Sequence, residues 1–300
     1  MTKSPFIPLP NSIDATLQLL REYNYVCDRS LATLTFLSLE LDRPIFLEGE
    51  AGVGKTELAR TLATALGRDL IRLQCYEGLD AATAVYEWNF AAQMLAMKQG
   101  EGDVDIYDQR FLIKRPLLQA MEQHENGPPV LLIDEIDRTD APFEAFLLEA
   151  LSDYQVTIPE IGAIKAPAPP IVILTSNRTR EVHDALKRRC LYHWVDYPDF
   201  DRELEIITSR VPKAAASLSQ EIVSFVQTLR EENLFKKPGL AETIDWASCL
   251  VALDVISLSP EIISDTIGAV LKYQDDIAKL QGSEVNRILE ASKANLNVYK

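Results

Sequence analysis

The chain has 300 residues, 47% of them hydrophobic and 25% charged, a composition typical of soluble globular proteins and a length that suits one large and one small domain. Its formal net charge of −15 argues against sequence-independent binding of nucleic acid or anionic lipid, because both are themselves negatively charged. The sequence shows no apolar run of membrane-spanning length and no signal-peptide pattern, so we expect a cytoplasmic protein with no membrane partner.

Two helices are predicted before the first strand. Apolar residues at helical spacing follow Ser12, a residue type that favours the N-cap position, and a second leucine stripe runs from Leu31 to Leu41. Tyr23 and Tyr25 lie between these helices. Either they cover the base of a bound nucleotide or they pack in the core, and their positions fit both interpretations.

A complete phosphate-binding motif occupies residues 49–56: a glycine, four further residues and then Gly-Lys-Thr. A short apolar strand is predicted over residues 45–47 and a helix over 57–66, which is the strand–loop–helix context of this motif. Lys55 is placed to reach the β- and γ-phosphates of ATP, and the Thr56 hydroxyl to ligate Mg²⁺. The predicted ATP-binding residues of this segment are Glu50, Ala51, Gly52, Val53, Gly54, Lys55, Thr56 and Glu57.

Further buried strands are predicted over residues 70–73, 130–133, 171–174 and 192–195, with helical segments between them. Between residues 79 and 124 we expect no strand but helices over 81–99 and 116–124, separated by an acidic loop over 101–108. Residues 155–158 and 161–164 alternate in hydrophobicity, which predicts a hairpin. Strands that alternate with helices indicate a parallel α/β sheet, and from Asp201 onward only helical spacing remains.

Two carboxylates, Asp134 and Glu135, end the strand over residues 130–133. A carboxylate at the end of a parallel strand beside the phosphate loop can ligate Mg²⁺, so we assign Asp134 together with Thr56 to the metal. Glu135 is placed to orient or deprotonate the attacking water.

Two later segments complete the predicted catalytic set. Asn177 follows the strand over residues 171–174, where its amide could hold the attacking water, although asparagine is also common in turns. Arg188 and Arg189 precede the last strand. Either a guanidinium from this pair stabilises charge on a neighbouring chain's phosphate, or the pair is a solvated basic helix end.

In this order the motifs resemble the AAA+ ATPases: the phosphate loop, the Val-Leu-Leu-Ile-Asp-Glu-Ile-Asp segment, the Thr-Ser-Asn segment and the arginine pair. The insert after the second strand, about 80–108, and the hairpin at about 155–166 resemble features of the MoxR branch. Within that branch the chain is similar to the CoxD-like group of the carbon monoxide dehydrogenase maturation type. The segments that carry this likeness are 47–57, 75–80, 86–89, 188–190 and 237–246.

The resemblance implies an α/β fold in which a P-loop AAA+ module, with a parallel sheet flanked by helices, spans residues 1–200 and a small all-helical lid domain spans 201–300. It implies a homo-oligomer, a hexameric ring, in which Arg189, with Arg188 as the alternative, reaches a neighbour's γ-phosphate. It further implies a von Willebrand factor A domain partner and a metalloenzyme client, such as a molybdenum hydroxylase, whose cofactor insertion the ATPase assists.

One position departs from the family pattern. The resemblance implies an arginine in the lid that contacts the γ-phosphate, but Lys237-Pro238-Gly239 lies near that place and Glu242 stands where the arginine is expected. Lys236 and Lys237 are the candidate replacements, although lysine cannot make bidentate contacts.

Two other functional hypotheses remain open from the sequence. The chain could be a nucleotide-gated scaffold that hydrolyses ATP slowly, or an ATPase that acts on nucleic acid, which the acidic charge disfavours. The aromatic segment from Tyr86 to Phe90 is either a client-binding surface or core.

Overall fold

The computed structural model describes residues 7–99 and 105–298. The strands are β1 (Ile45–Gly49), β2 (Leu70–Gln74), β3 (Tyr86–Trp88), β4 (Leu112–Lys114), β5 (Val130–Asp134), β6 (Gln155–Ile158), β7 (Gly162–Lys165), β8 (Ile171–Ser176) and β9 (Leu191–Val195). The helices are α1 (Ile13–Glu22), α2 (Arg29–Leu41), α3 (Lys55–Ala65), α4 (Ala81–Val85), α5 (Phe90–Lys98), α6 (Pro116–Ala120), α7 (Ala141–Asp153), α8 (Asp184–Arg189), α9 (Phe200–Arg210), α10 (Ala216–Glu231), α11 (Leu240–Ala252), α12 (Pro260–Thr266), α13 (Gln274–Lys279) and α14 (Ser283–Val298). Short 3₁₀ turns occupy Gln109–Phe111, Ile136–Arg138 and Ile267–Ala269.

The central sheet has the strand order β2-β5-β8-β1-β9. The pairs β1–β8, β2–β5 and β5–β8 are parallel, in a register that places Leu47 beside Thr175 and Gln74 beside Asp134. Both β1 and β5 are buried along their whole length, as the continuous apolar runs predict for inner strands of a parallel sheet. Because parallel strands end at one edge, the polar residues after β1, β5 and β8 lie together there.

Short strands appear where the sequence predicted none, between residues 79 and 124. The antiparallel pair β3–β4 joins Tyr86–Trp88 to Leu112–Lys114, so the helix expected over residues 81–99 is interrupted and becomes α4 and α5. Three-residue strands are too short to produce a period-2 pattern, and their pairing partner is distant in sequence. The helix expected over 116–124 ends already at Ala120. Half of the predicted acidic loop, residues 101–104, lies outside the described residues.

Other predicted elements are confirmed. Ser12 caps α1 by accepting a hydrogen bond from Ala15 N–H at 3.1 Å, and β6 and β7 form the expected antiparallel hairpin. Within residues 7–99 and 105–298, no helix is both long enough and apolar enough to cross a membrane.

The chain divides into two compact units. Of the described residues, those up to residue 23, those from 28 to 49 and those from 55 to 194 form one unit. Residues 24–27, 50–54 and the described residues from 195 onward form the other. In the first unit the core lies between the sheet and its flanking helices. The second unit is built from α9–α14, and its core includes the ring pair Phe225–Trp246, at 5.5 Å between centroids. The tip of the phosphate loop, residues 50–54, therefore packs with the helical unit.

An ion pair is buried inside the helical unit. Arg230 donates hydrogen bonds to both carboxylate oxygens of Glu203, at 2.6 and 2.7 Å. Gln227 and Thr243 donate to the same carboxylate, at 2.6 and 2.9 Å. Since a buried charge is tolerated only when it is fully paired, this network fixes α9, α10 and α11 relative to one another.

Candidate active site

The phosphate loop has the backbone shape that its glycines permit. Gly52 and Gly54 have φ of +78° and +95°, a region that other residues rarely adopt. A Cβ on Gly54 would meet no atom within 4 Å, so this glycine is needed for conformation. Lys55 begins α3 and is 5% exposed, and its Nζ donates to the Gly49 carbonyl at 2.8 Å. The ammonium group thus lies within its own loop, the position from which it can contact a phosphate.

Asp134 lies at the end of β5 and is 3% exposed. Its Oδ1 accepts hydrogen bonds from Thr56 Oγ1 at 3.1 Å and from Thr175 Oγ1 at 2.6 Å. On its other side, Oδ2 accepts a hydrogen bond from Arg72 Nε at 3.1 Å. A carboxylate and a hydroxyl in contact are the oxygen donors that Mg²⁺ prefers, so Thr56 and Asp134 fit this ion. Arg72, a residue on β2, was not identified from the sequence.

Glu135 has a left-handed backbone, with φ 59° and ψ 50°. Such a conformation costs roughly 1–2 kcal/mol in a residue other than glycine and is often found at active sites. It is held in place because the Glu135 N–H donates to Thr175 Oγ1 at 2.9 Å. The backbone thus turns sharply after Asp134, and the two carboxylates have different hydrogen-bond partners.

The Glu135 carboxylate has partners from three other segments. Asn177 Nδ2 donates to Oε1 at 3.2 Å, while Gln74 Nε2 and Arg138 Nε lie 3.1 and 2.7 Å from Oε2. The predicted catalytic pair Glu135 and Asn177 is therefore in direct contact. Gln74 was missed because its partner lies 61 residues away in the chain. Arg138 was missed although it lies only three residues after Glu135, because a turn arginine alone does not indicate this contact.

Asp137 positions Asn177. It is 2% exposed, and its carboxylate accepts hydrogen bonds from the N–H groups of Asn177 and Thr179, at 3.2 and 2.8 Å, and from Thr179 Oγ1 at 2.7 Å. The acidic turn after β5 thereby holds the turn after β8. Its sequence signal was the second aspartate of Asp-Glu-Ile-Asp, to which no role was assigned.

The basic segment before β9 divides into an inward and an outward part. Lys187 lies 3.3 Å from Glu181 and 3.6 Å from the buried carboxylate of Glu48. Arg188 and Arg189 are exposed, and within the described part of the chain neither guanidinium has a hydrogen-bond or ion-pair partner. The C-terminal end of α8 is nevertheless fixed, because Arg43 Nη2 donates to the carbonyls of residues 188 and 189, at 3.1 and 3.2 Å.

Burial raises two pKa values near the strand ends. The pKa of the Cys75 thiol is raised to about 12, first by burial and then by the nearby carboxylates of Asp134, Asp137 and Glu135. The pKa of Tyr192 is also raised to about 12, first by burial and then by Glu48, which accepts its hydroxyl at 2.9 Å. Neither group is therefore assigned a role in proton transfer here.

The aromatic residues noted in the sequence have different environments. Tyr25 is buried beside the phosphate loop, and its hydroxyl lies 3.5 Å from the Gly54 carbonyl. Trp88 is 7% exposed and belongs to the core, whereas Phe90 is 66% exposed. Four large apolar side chains of α5 are exposed: Phe90, Met94, Leu95 and Met97. On this helix the buried residues are Gln93 and Ala96, so its larger apolar side chains point outward.

Comparison with known proteins gives a family match over residues 44–190. This segment, from the start of β1 to the end of α8, matches the model of the AAA domain of the dynein-related subfamily. An uncharacterised protein of Staphylococcus saprophyticus is 27% identical over 230 residues, which cover 74% of this chain and 81% of that protein. An uncharacterised protein of Staphylococcus haemolyticus is 28% identical over 228 residues, which cover 73% of this chain and 80% of that protein.

Among solved structures, one match is a candidate ATPase from Cytophaga hutchinsonii, with 17% identity, a TM-score of 0.46 and 92% of each chain covered. Another is a RuvB mutant from Thermotoga maritima, with 17% identity, a TM-score of 0.49, and 95% of this chain and 83% of that chain covered. The fold assignment rests on the strand order and on the family match.

Proposed function

We propose that this chain, whose residues 44–190 match the AAA domain model, hydrolyses ATP with Mg²⁺ and works as an oligomeric ring that remodels a protein client. In the proposed site the residues of the phosphate loop bind the triphosphate, and Thr56 and Asp134 hold the metal. When bound, Mg²⁺ supplies positive charge to the phosphate oxygens.

The contact between Glu135 and Asn177 is the observation that carries this proposal. Glu135 is the proposed base for the attacking water, since its carboxylate is only partly exposed and is oriented by the Asn177 amide at 3.2 Å. The strained backbone at Glu135 and the Asp137 contacts both restrict this geometry. A scaffold that only binds nucleotide would not need this arrangement.

The exposed arginine pair supports an oligomer. Arg188 and Arg189 are proposed to contact the nucleotide of a neighbouring subunit, Arg189 first and Arg188 as the alternative. The tethering of their helix by Arg43 supports this role, because a guanidinium presented from a fixed main chain loses less entropy on binding.

A protein is the proposed client because of the exposed apolar side chains on α5. Phe90, Met94, Leu95 and Met97 are each more than half exposed, and methionine-rich surfaces adapt to varied apolar partners. The net charge of −15 argues against nucleic acid. The finer proposal, which rests on the CoxD-like resemblance alone, is that a von Willebrand factor A domain protein assists and that the client is a metalloenzyme during cofactor insertion.

A nucleotide-gated scaffold with slow hydrolysis is the second candidate. It is favoured by one observation, that Gln74 and Arg138 both engage the Glu135 carboxylate. If these contacts persist with ATP bound, they occupy Oε2 and compete with the attacking water for the carboxylate.

The test is capture from the native host with a Glu135→Gln variant, which should bind ATP without hydrolysing it and so retain its client. Lys55→Ala, which should not hold nucleotide, and Glu149→Gln, an exposed glutamate on α7, are the controls. A cofactor-bearing enzyme and a von Willebrand factor A domain protein retained only by Glu135→Gln would support the proposal. Equal capture by all variants contradicts the proposal of an ATP-dependent client. Recovery of DNA-bound proteins contradicts the proposal that the client is a metalloenzyme.

A further inference from the structure

The start of α11 approaches the phosphate loop at the level of the backbone. Within the helical unit, which includes residues 50–54, the Ala241 N–H donates to the Gly52 carbonyl at 3.1 Å. A Cβ on Gly239 would lie 2.8 Å from the Ala51 carbonyl oxygen and 3.1 Å from Gly52 Cα. Separations below 3.0 Å are essentially never seen for real Cβ atoms, so any side chain at residue 239 forces the two backbones apart.

Conformation does not explain the glycine at this position. Gly239 has φ −81° and ψ 177°, which any residue can adopt. It is the N-cap of α11, where serine, threonine or asparagine would cap the helix better than glycine does. Glycine at residue 239 provides no side-chain cap for α11, but it permits the close approach to Ala51 and Gly52.

The turn that carries Gly239 is anchored from behind by the buried ion pair. Arg230 Nε donates to the Pro238 carbonyl at 2.8 Å, and Thr243 Oγ1 lies 3.1 Å from the Gly239 carbonyl. Arg230 and Thr243 both bind Glu203, which is fully buried. A displaced Gly239 would disturb this network, so the clash cannot be relieved cheaply by a shift of the turn.

Glu242 is part of the same contact. Its Oε2 accepts the Gly239 N–H at 3.1 Å and lies 2.9 Å from the position of a Cβ on Gly52. The residue that stands where the resemblance implies an arginine is thus used to cap α11. The main-chain contact of Ala241 with Gly52 therefore lies near the place where the resemblance implies an arginine side chain.

We infer that Gly239 is a positioning residue for nucleotide binding: its missing side chain lets α11 dock on Ala51 and Gly52 and so presets the phosphate loop. The inference rests on the nucleotide site of the proposed function. A loop that is held in the binding conformation binds phosphate without first being ordered. When the contact is lost, only a fraction of molecules is competent at any moment, and the apparent affinity falls by that fraction.

The experiment measures binding of fluorescent ATP and ADP analogues to the full chain. In Gly239→Ala both affinities are expected to fall about fivefold to tenfold, the scale of one lost hydrogen bond and its packing. In saturating ATP, kcat is expected to stay within about twofold, because the hydrolytic residues are unchanged. Hydrogen exchange of the amides of residues 50–54, in the nucleotide-free protein, is expected to become faster.

Gly268→Ala is the matched control, since a Cβ there meets nothing within 4 Å in the same unit. A Cβ at residue 239 would also lie 2.8 Å from Glu242 Oε2, the end of a flexible side chain. The double variant Gly239→Ala/Glu242→Ala removes that carboxylate but keeps the clash with the Ala51 carbonyl, so nucleotide affinity should stay low. Ala241→Pro deletes the N–H donor without a Cβ at residue 239, and proline is tolerated there because Pro142 holds the equivalent second position of α7. It too should weaken binding, which keeps the inference testable if Gly239→Ala does not fold.

The outcomes are distinct. Wild-type affinity in both Gly239→Ala and Ala241→Pro overturns the inference while the ATPase assignment stands. Recovery of nucleotide affinity in Gly239→Ala/Glu242→Ala also overturns the inference. The clash between a Cβ at residue 239 and the Glu242 carboxylate would then explain the defect without any contact to the Ala51 carbonyl. Absence of nucleotide binding by the wild-type chain contradicts the proposed nucleotide site itself.

Discussion

Asn177 Nδ2 donates a hydrogen bond to Oε1 of Glu135 across 3.2 Å, although 42 residues separate the two in the chain. The contact exists because β5 and β8 are parallel neighbours and end at the same edge of the sheet. Each side chain alone is a weak signal, since a glutamate or an asparagine after a strand is common. Together they form a carboxylate oriented by an amide, which is the arrangement that water activation requires.

Asn177→Ala is expected to lower kcat for ATP hydrolysis by about 10- to 100-fold, because the Glu135 carboxylate loses the partner that orients it. The KM for ATP should change little, since among the described residues no hydrogen bond or ion pair joins Asn177 to the phosphate loop. Steady-state hydrolysis and nucleotide titration measure the two quantities separately. Asn286→Ala, at an exposed position of α14, is the control and should leave both unchanged. A large rise in KM with constant kcat would place Asn177 in ATP binding instead.

The arginine pair can be tested by mixing variants. Arg189→Ala keeps an intact nucleotide site but lacks the proposed finger, and Lys55→Ala keeps the finger but lacks nucleotide. Each alone is expected to lose roughly 100-fold or more of the hydrolysis rate. Mixed oligomers should regain part of it, because an intact finger then meets an intact site on its neighbour. The measurement is the ATPase rate across a series of mixing ratios.

Two matched variants make this test specific. Arg188→Ala decides which arginine acts, since only the finger variant should be complemented by Lys55→Ala. Lys187→Ala should not be complemented, because Lys187 contacts Glu48 and Glu181 of its own chain. If no mixture exceeds the sum of its components, the finger does not act between subunits.

The sequence predicted the parts of the site that lie within continuous motifs. The phosphate loop, Asp134 and Glu135 are set by local patterns of glycine, charge and buried strand, and the all-helical character after Asp201 follows from spacing alone. Gln74, Arg72 and Arg138 could not be predicted, because their roles arise when β2 pairs with β5 and when the turn after β5 folds back. Pairing partners across a sheet leave no mark on a single sequence.

The insert after β2 also contains strands that could not be predicted from the sequence. The strands β3 and β4 have three residues each and are stabilised by pairing with each other, so neither carries a period of its own. Trp88 and Phe90, two residues apart, point respectively into the core and toward solvent. Of the two interpretations that the sequence allowed, core packing therefore fits Trp88, and an exposed surface fits Phe90.

The thiol of Cys75 is expected to resist alkylation. Because its pKa is raised to about 12, only about one molecule in 10⁴ carries the thiolate at pH 8, and the side chain is 1% exposed. Cys249 is exposed and should react first. Peptide mass spectrometry after timed iodoacetamide treatment gives the order. Raising the pH to 10 should leave Cys75 unlabelled in the folded chain, whereas urea should make it reactive; rapid labelling at pH 8 without urea would contradict its burial beside Asp134 and Asp137.

The buried pair Glu203–Arg230 should dominate the stability of the helical unit. Arg230→Met leaves Glu203 charged and buried without its bidentate partner, so we expect a loss of about 3–5 kcal/mol in the free energy of unfolding. The double variant Glu203→Met/Arg230→Met should be less destabilised than the single one, because no unpaired charge remains. Arg287→Ala, which removes an exposed arginine paired with Glu232 and Glu284, should have a much smaller effect. Hydrogen exchange of α10 peptides measures the free energy of unfolding in each variant. If Arg230→Met is no less stable than the double variant, the lost hydrogen bonds rather than the unpaired charge set the stability.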